Sequence, residues 1–244
     1  MLNVRAMSLL RAPDIRIIEI DQVEIAVEPW RWAFAHERRA EIDRHFAARR
    51  RSQPALWNGR VLLLNRCVIE KRMLSGSSFE TDYASFLAWR DWAGTDAGVF
   101  NIFAAAALRS AEGAYLVGEM APSTSVAGQW LFPCGTPDLK DVSAAGALDL
   151  AGSVGRELLE ETGLEIGAFK AEPGWTLVHD GGFIALIKSL SAGESADVLR
   201  GRIMHHLATE AQPEFSAIRF LRSPADFVPG IPRFFAAYLA HVWS

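Results

Sequence analysis

The chain is short of cysteine, of basic charge and of long apolar runs, and each shortage removes a class of function. Only two cysteines, Cys67 and Cys134, occur in 244 residues. So few exclude a disulfide framework or a four-cysteine zinc site, and make a reducing cytoplasm the expected location. Lysine and arginine number 25 against 29 aspartates and glutamates, a formal charge of −4. A protein whose main partner is nucleic acid usually carries a basic balance, so no nucleic-acid partner is expected. No apolar run reaches bilayer length; the longest, around Val99–Leu108, is interrupted by Asn101, and no membrane partner is expected. Met1 to Arg16 lacks the charged start, apolar core and cleavage site of a secretion signal. There is no internal repeat, and only Ala121–Gly128 has a linker's composition.

What is present reads as alternating strands and helices. Ile15–Ile20 and Val23–Val27 are strand-like, and a helix pattern starts at Pro29, with Trp30/Phe34 and Ile42/Phe46 spaced i,i+4. The basic run Arg49–Arg51 suits that helix's C-terminal end. Asn58-Gly59 marks a turn before the apolar runs Val61–Leu64 and Cys67–Ile69. Phe79–Trp92 reads as a strand passing into an aromatic-rich helix, whose Tyr83, Phe86, Leu87 and Arg90 are expected in core packing. A hairpin around Glu112-Gly113 joins Phe100–Leu108 to Ala114–Val117. Gln129–Phe132 is a further strand, and a long polar loop runs to Ala147. Then come a helix over Asp149–Thr162, strands Trp175–His179 and Phe183–Ile187, a helix Ala196–Leu207, a strand Ala217–Leu221 and a last helix Pro232–Val242. This order predicts an α/β (α+β) chain: a layered domain over residues 96–244 and a smaller α+β unit over residues 1–95.

The informative stretch is Arg156-Glu157-Leu158-Leu159-Glu160-Glu161-Thr162-Gly163-Leu164. Glu157, Glu160 and Glu161 are i, i+3 and i+4, so a helix places all three carboxylates on one face. Ala151, Gly155, Leu158 and Leu159 are then expected on the packed face. Like charges at this spacing repel by a few tenths of a kcal/mol each, roughly, unless water or a cation relieves them. A solvated acidic face is the usual fate of such a run. Hard oxygen ligands converging on one point suit Mg²⁺ or Mn²⁺ instead.

The whole string resembles the second half of the Nudix box, R-E-U-x-E-E-x-G-U with U aliphatic. Every fixed letter and both aliphatic positions are met, a match that chance would give roughly once in 10⁷ positions. The first half departs from the family pattern of Gly, five residues, Glu and seven residues to the Arg. Gly135 is followed by Asp141 in place of Glu, and fourteen residues separate Asp141 from Arg156. Either Asp141 or Asp149 is a candidate for that acidic role, and helix N-capping accounts for Asp149 equally well. The resemblance implies an α/β/α sandwich with a mixed sheet, and Mg²⁺-dependent hydrolysis of a nucleoside diphosphate linked to a group X. It also implies that Glu157, Glu160 and Glu161 hold metal with the carbonyl of Gly135, that Glu157 is the alternative base, and that Arg156 positions the glutamates.

Gln53-Pro54-Ala55-Leu56-Trp57-Asn58-Gly59, Tyr83-Ala84-Ser85-Phe86-Leu87 and Cys134-Gly135-Thr136-Pro137-Asp138, with the stretched loop, are similar to one Nudix subgroup. Its eukaryotic members cleave UDP-glucose and UDP-galactose to UMP and a sugar 1-phosphate. The expected partner is thus a small nucleotide substrate, with ADP-ribose or dinucleotide hydrolysis, or sensing without cleavage, as alternatives. Trp130 and Phe132 are candidates to stack on a base, and His179 and Asp180 to bond substrate from a loop. Arg109 and Lys140 are candidates for phosphate oxygens. Each also has a plainer role in core, turn or solvated surface.

Overall fold

The computed structural model describes residues 7–8, 15–93, 96 and 98–244. The expected boundary near residue 95, and most of Met1–Arg16, fall outside them. In chain order the strands are β1 (Met7–Ser8), β2 (Arg16–Ile20) and β3 (Gln22–Val27), followed by helices α1 (Ala33–Glu37) and α2 (Arg39–Ser52). Strands β4 (Arg60–Glu70) and β5 (Met73–Asp82) lead into α3 (Tyr83–Asp91). Next come β6 (Asn101–Arg109), β7 (Tyr115–Met120), β8 (Trp130–Leu131) and β9 (Cys134–Gly135), then α4 (Leu150–Thr162). Strands β10 (Lys170–Ala171), β11 (Trp175–Asp180) and β12 (Phe183–Ser191) precede α5 (Ala196–Thr209), β13 (Phe215–Leu221) and α6 (Arg233–Val242).

The strands make two sheets. The smaller runs β1-β4-β5-β3, with β3 parallel to β5. The larger is mixed and runs β13-β7-β6-β12-β11-β2, with β8, β9 and β10 paired at its sides. Its centre is the parallel pair β6–β12, in register from Asn101 opposite Phe183 to Arg109 opposite Ser191. Both are near-continuous apolar runs, as strands buried on two faces must be. Helix α4 packs on β6 and β9, α5 on α4 and β13, and α6 against β11.

The region before residue 95 is tied into this sheet. Strand β2 forms its edge beside β11, with Ile20 opposite Trp175. Leu64 and Phe100 exchange two backbone hydrogen bonds of 2.9 Å, and the Leu62 N–H donates to the Pro137 carbonyl. Alternation along β4 serves two cores at once. Leu62 and Leu64 join the large-sheet core, whereas Val61 and Leu63 join Trp32, Phe34, Ile42, Phe79, Phe86 and Trp89. Among the described residues no helix is long and apolar enough to cross a membrane.

Candidate functional site

Helix α4 carries the site because both of its ends are well defined. The Asp149 carboxylate accepts from the Gly152 N–H at 2.9 Å and caps the N-terminus. Gly163 ends the helix at φ 70°, in the left-handed region where glycine has no steric penalty, with the His206 ring packed against it. Leu150, Val154 and Leu158 form the buried stripe. The packed face differs from the one expected. Leu159 and Ala151 face solvent, while Glu157 and Glu161 are buried beside Leu158. The stripe at i, i+4 and i+8 turns one flank of the carboxylate face into the protein, toward β9, and leaves Glu160 outside with its side chain 52% exposed.

Burial makes these acids unusual. Glu161 is 2% exposed. One of its oxygens accepts the Cys134 N–H at 3.0 Å, and the other has no partner among the described residues. Loss of water, followed by repulsion from Glu157 and Glu214, holds its carboxyl well above the usual range. Loss of water also pushes Glu157 up to about 7; Arg156 opposes this, and Glu160, Glu214 and Asp141 add to it. Gly135 lies so close to Glu157 that an added Cβ would sit 2.5 Å from its carboxylate. Only glycine leaves room there for the carboxylate and the β9 backbone together.

Arg156 is the hub. It donates to both oxygens of Asp141 at 2.9 Å and forms ion pairs with Glu157 at 2.9 Å and Glu160 at 3.1 Å. Burial works against its charge, but these acids together raise its pKa. Asp141, at the end of a 3₁₀ turn capped by Asp138, is thus the acid that holds Arg156, and Asp149 only caps the helix. This gives a stability prediction. Asp141→Ala leaves a partly buried guanidinium without its bidentate partner and costs about 3 kcal/mol. Asp149→Ala removes a cap and costs about 1 kcal/mol. Thermal melts should separate the two, and equal shifts would remove Asp141 from this role.

Glu157 and Glu160 open onto a cavity of about 1110 Å³, and Glu161 lies buried behind them. Gly135, Arg156, Glu157 and Glu160 line it, and so do Lys140 and Glu214. Glu214 precedes β13, and nothing in its local sequence marks it as part of a site. It is exposed on its loop but walled in by the cavity, and partial loss of water followed by Glu160 raises its carboxyl.

The region before residue 95 builds another part of the wall. Tyr83, Phe86 and Arg90 of α3, expected only as core, all line the cavity, with Phe86 buried. They grip the segment with a linker's composition. The Tyr83 hydroxyl donates to Ser125 Oγ at 2.7 Å, Arg90 donates to Ser125 Oγ at 3.1 Å and Arg49 to the Ser125 carbonyl at 3.3 Å. Gln53 donates to the Thr124 carbonyl at 2.6 Å. Ser123 to Val126 thereby become cavity wall.

Other expected contacts lie elsewhere. Trp130 and Phe132 are buried in the core, Phe132 against Phe235 and Tyr238, and Trp130 with the Arg219 guanidinium over its ring. Strand alternation is the reason: Gln129 and Leu131 face the cavity, so their neighbours face away. A role in stacking on a base does not fit either position. His179 is fully buried, with Nε2 bonded to the Gly181 carbonyl, and burial lowers its pKa. Asp180 ends β11, 3.9 Å from Arg233, and does not itself line the cavity. Arg109 ends β6 beside Ser191, also away from it.

As the side chains stand, no three acidic, histidine or cysteine groups among the described residues form a closed metal cage. The donor set still fits a hard cation. Glu161 has an oxygen without a partner among the described residues, Glu157 and Glu161 resist ionising without added positive charge, and Glu160 is half exposed and held beside them by Arg156. Glu157, Glu160 and Glu161, with the carbonyl of Gly135, are the groups that could hold it.

No family model and no curated protein matches this chain. Among solved structures it is similar to a Nudix hydrolase from M. smegmatis, RenU, at 17% identity over 61% of this chain and 89% of that one, with a TM-score of 0.41. It is similar to MutT protein from Methanosarcina mazei Go1 at 16% identity over 58% and 91%, with a TM-score of 0.36. A C. elegans Ap4A hydrolase is 13% identical over 57% and 98%, with a TM-score of 0.34. These likenesses are distant.

Proposed function

We propose that this chain is a Nudix hydrolase that uses Mg²⁺ or Mn²⁺ to cleave a nucleoside diphosphate derivative, and that its substrate is a UDP-sugar. The observation that carries the reading is the buried Glu157–Glu161 pair, with Arg156 locked to Asp141 and Glu157 opening onto a large cavity. A divalent cation bound by the glutamates would neutralise the diphosphate and acidify the attacking water.

The chain's own groups supply the rest. Arg156 holds Glu157 and Glu160 in place, and Asp141 holds Arg156. Glu157 lines the cavity beside Gly135 and is the alternative base for a water that attacks phosphorus. Lys140, exposed on the cavity wall, is placed to meet phosphate oxygens. The stretched loop between Gly135 and Arg156, and the segments Gln53–Gly59 and Tyr83–Leu87 that resemble the UDP-sugar subgroup, support the UDP-sugar reading. All the carboxylates of the box are in place, which favours cleavage over sensing.

The test is product analysis with Mg²⁺ and a panel of UDP-glucose, UDP-galactose, ADP-ribose, NADH and dinucleoside polyphosphates. UMP and a sugar 1-phosphate are the expected products. Turnover of ADP-ribose with none of the UDP-sugars would overturn the substrate assignment.

A further inference from the structure

Asn101 is the one polar residue in the run from Val99 to Leu108. It starts β6, is 5% exposed, and still lines the cavity. Its backbone N–H is used by the Gly182 carbonyl, but its side-chain Oδ1 has no hydrogen-bond partner among the described residues. Buried polar groups are nearly always satisfied, so an orphan on a cavity wall calls for an explanation. Nothing among the described residues accounts for Oδ1, which is closed to solvent as it stands; a turn of the amide toward the cavity that Asn101 lines would bring it to a ligand.

The surroundings say what kind of ligand. Phe183 sits directly opposite Asn101 across the parallel β6–β12 pair. Its ring stacks on that of Phe234, with centroids 6.0 Å apart and planes at 28°. Both rings are half-buried, and both line the cavity with Phe103. A flat aromatic wall beside a carboxamide is what a nucleobase requires: a π-face to stack on and paired donor and acceptor for its edge. An asparagine amide offers both in one plane, and either end can be turned to the ligand. Uracil presents one N–H, at N3, flanked by carbonyl oxygens, and complements Oδ1 and Nδ2 together.

We infer that Asn101 reads the N3–H edge of a uracil that stacks against the Phe183–Phe234 pair, making Asn101 the base-specificity residue of this cavity. The inference rests on the UDP-sugar reading for its choice of base. It assigns to Asn101, Phe183 and Phe234 the role that Trp130 and Phe132 cannot fill.

The experiment is calorimetric binding of UMP and N3-methyl-UMP to the full chain in EDTA, where no cleavage occurs. Wild-type protein should bind the methylated nucleotide about tenfold more weakly, the scale of one direct hydrogen bond. Asn101→Ala should bind both equally, and Phe183→Leu should weaken both by a similar factor. Equal binding of the two nucleotides by wild-type protein, or discrimination retained in Asn101→Ala, overturns the assignment. If Asn101→Ala does not fold, the wild-type pair and Phe183→Leu still decide it. Binding of AMP with none of UMP would refute the uracil reading alone, and the Asn101 role would then be decided by AMP against N6,N6-dimethyl-AMP. Binding of no mononucleotide overturns it outright.

Discussion

Glu161→Gln should abolish hydrolysis and at the same time make the metal-free protein more stable. Glutamine keeps an oxygen for the Cys134 N–H, now at 3.0 Å from Glu161 Oε2, so the local geometry survives. What it removes is a carboxyl held well above its usual range by loss of water and by Glu157 and Glu214. A cation ligand of this kind contributes several kcal/mol of transition-state stabilisation. At about 1.36 kcal/mol per tenfold, kcat should fall by about three orders of magnitude. Removing the cost of burying an ionisable carboxyl should raise Tm by roughly 5 °C, corresponding to about 2 kcal/mol in a chain of this size. Glu160→Gln should lose activity comparably with little change in Tm, because Glu160 is half in solvent. Steady-state kinetics and thermal melts read both quantities. Wild-type activity in both variants would place the metal elsewhere, and a fall in Tm for Glu161→Gln would mean that its charge is satisfied in the fold. A stabilised, inactive variant is the pattern of a site held under electrostatic strain for function.

The two glutamine variants differ for a reason that a helical projection does not contain. Spacing places Glu157, Glu160 and Glu161 on one face, and the structure shows the same face. It does not say which flank turns inward. That depends on Leu150, Val154 and Leu158, and on β9 running close beneath Glu157 at Gly135. Leu159 and Ala151 accordingly face solvent rather than the packed side that spacing predicts. The choice between Asp141 and Asp149 was equally beyond spacing, because the loop before Arg156 folds back through a capped 3₁₀ turn. Strands and helices were legible from periodicity, whereas their pairing was not. The parallel β6–β12 core joins segments some eighty residues apart, and β2 crosses from the chain's start to the edge of the large sheet. Glu214 reaches the cavity through the pairing of β13 with β7, and no local pattern marks it; Asn101 and Arg90 stand out locally, one as a polar break in an apolar run and one at helical spacing, but nothing local shows that they meet a cavity. Trp130 and Phe132 show the converse. They lie just before Gly135 in sequence, and one step of strand alternation turns them away from the cavity.

The same buried carboxyls should make the metal-free protein less stable as pH rises, and Mg²⁺ should reverse the loss. Glu157 has its carboxyl at about 7 in the folded chain against an ordinary 4.5. A folded value above the unfolded one means that the native state holds the proton more tightly. The stability this provides is complete below pH 4.5, declines from there, and is gone above pH 7. At about 1.36 kcal/mol per pH unit, Glu157 alone accounts for about 3 kcal/mol, or roughly 6–12 °C in Tm. Glu161 is likewise held well above its ordinary range and acts in the same sense. His179 acts in the opposite sense, since burial lowers its pKa and favours the neutral ring as pH rises toward 6.5. Comparison with Glu157→Gln cancels that contribution. Wild-type Tm in EDTA should therefore fall relative to Glu157→Gln between pH 5 and 8. Adding Mg²⁺ at pH 8 should recover the difference, by about 2.7 kcal/mol at a hundred times its Kd. Parallel pH profiles in the two proteins would show that Glu157 is already ionised and compensated in the fold. Indifference to Mg²⁺ and Mn²⁺ at pH 8 would remove the cation from this site, whatever the fate of the substrate assignment.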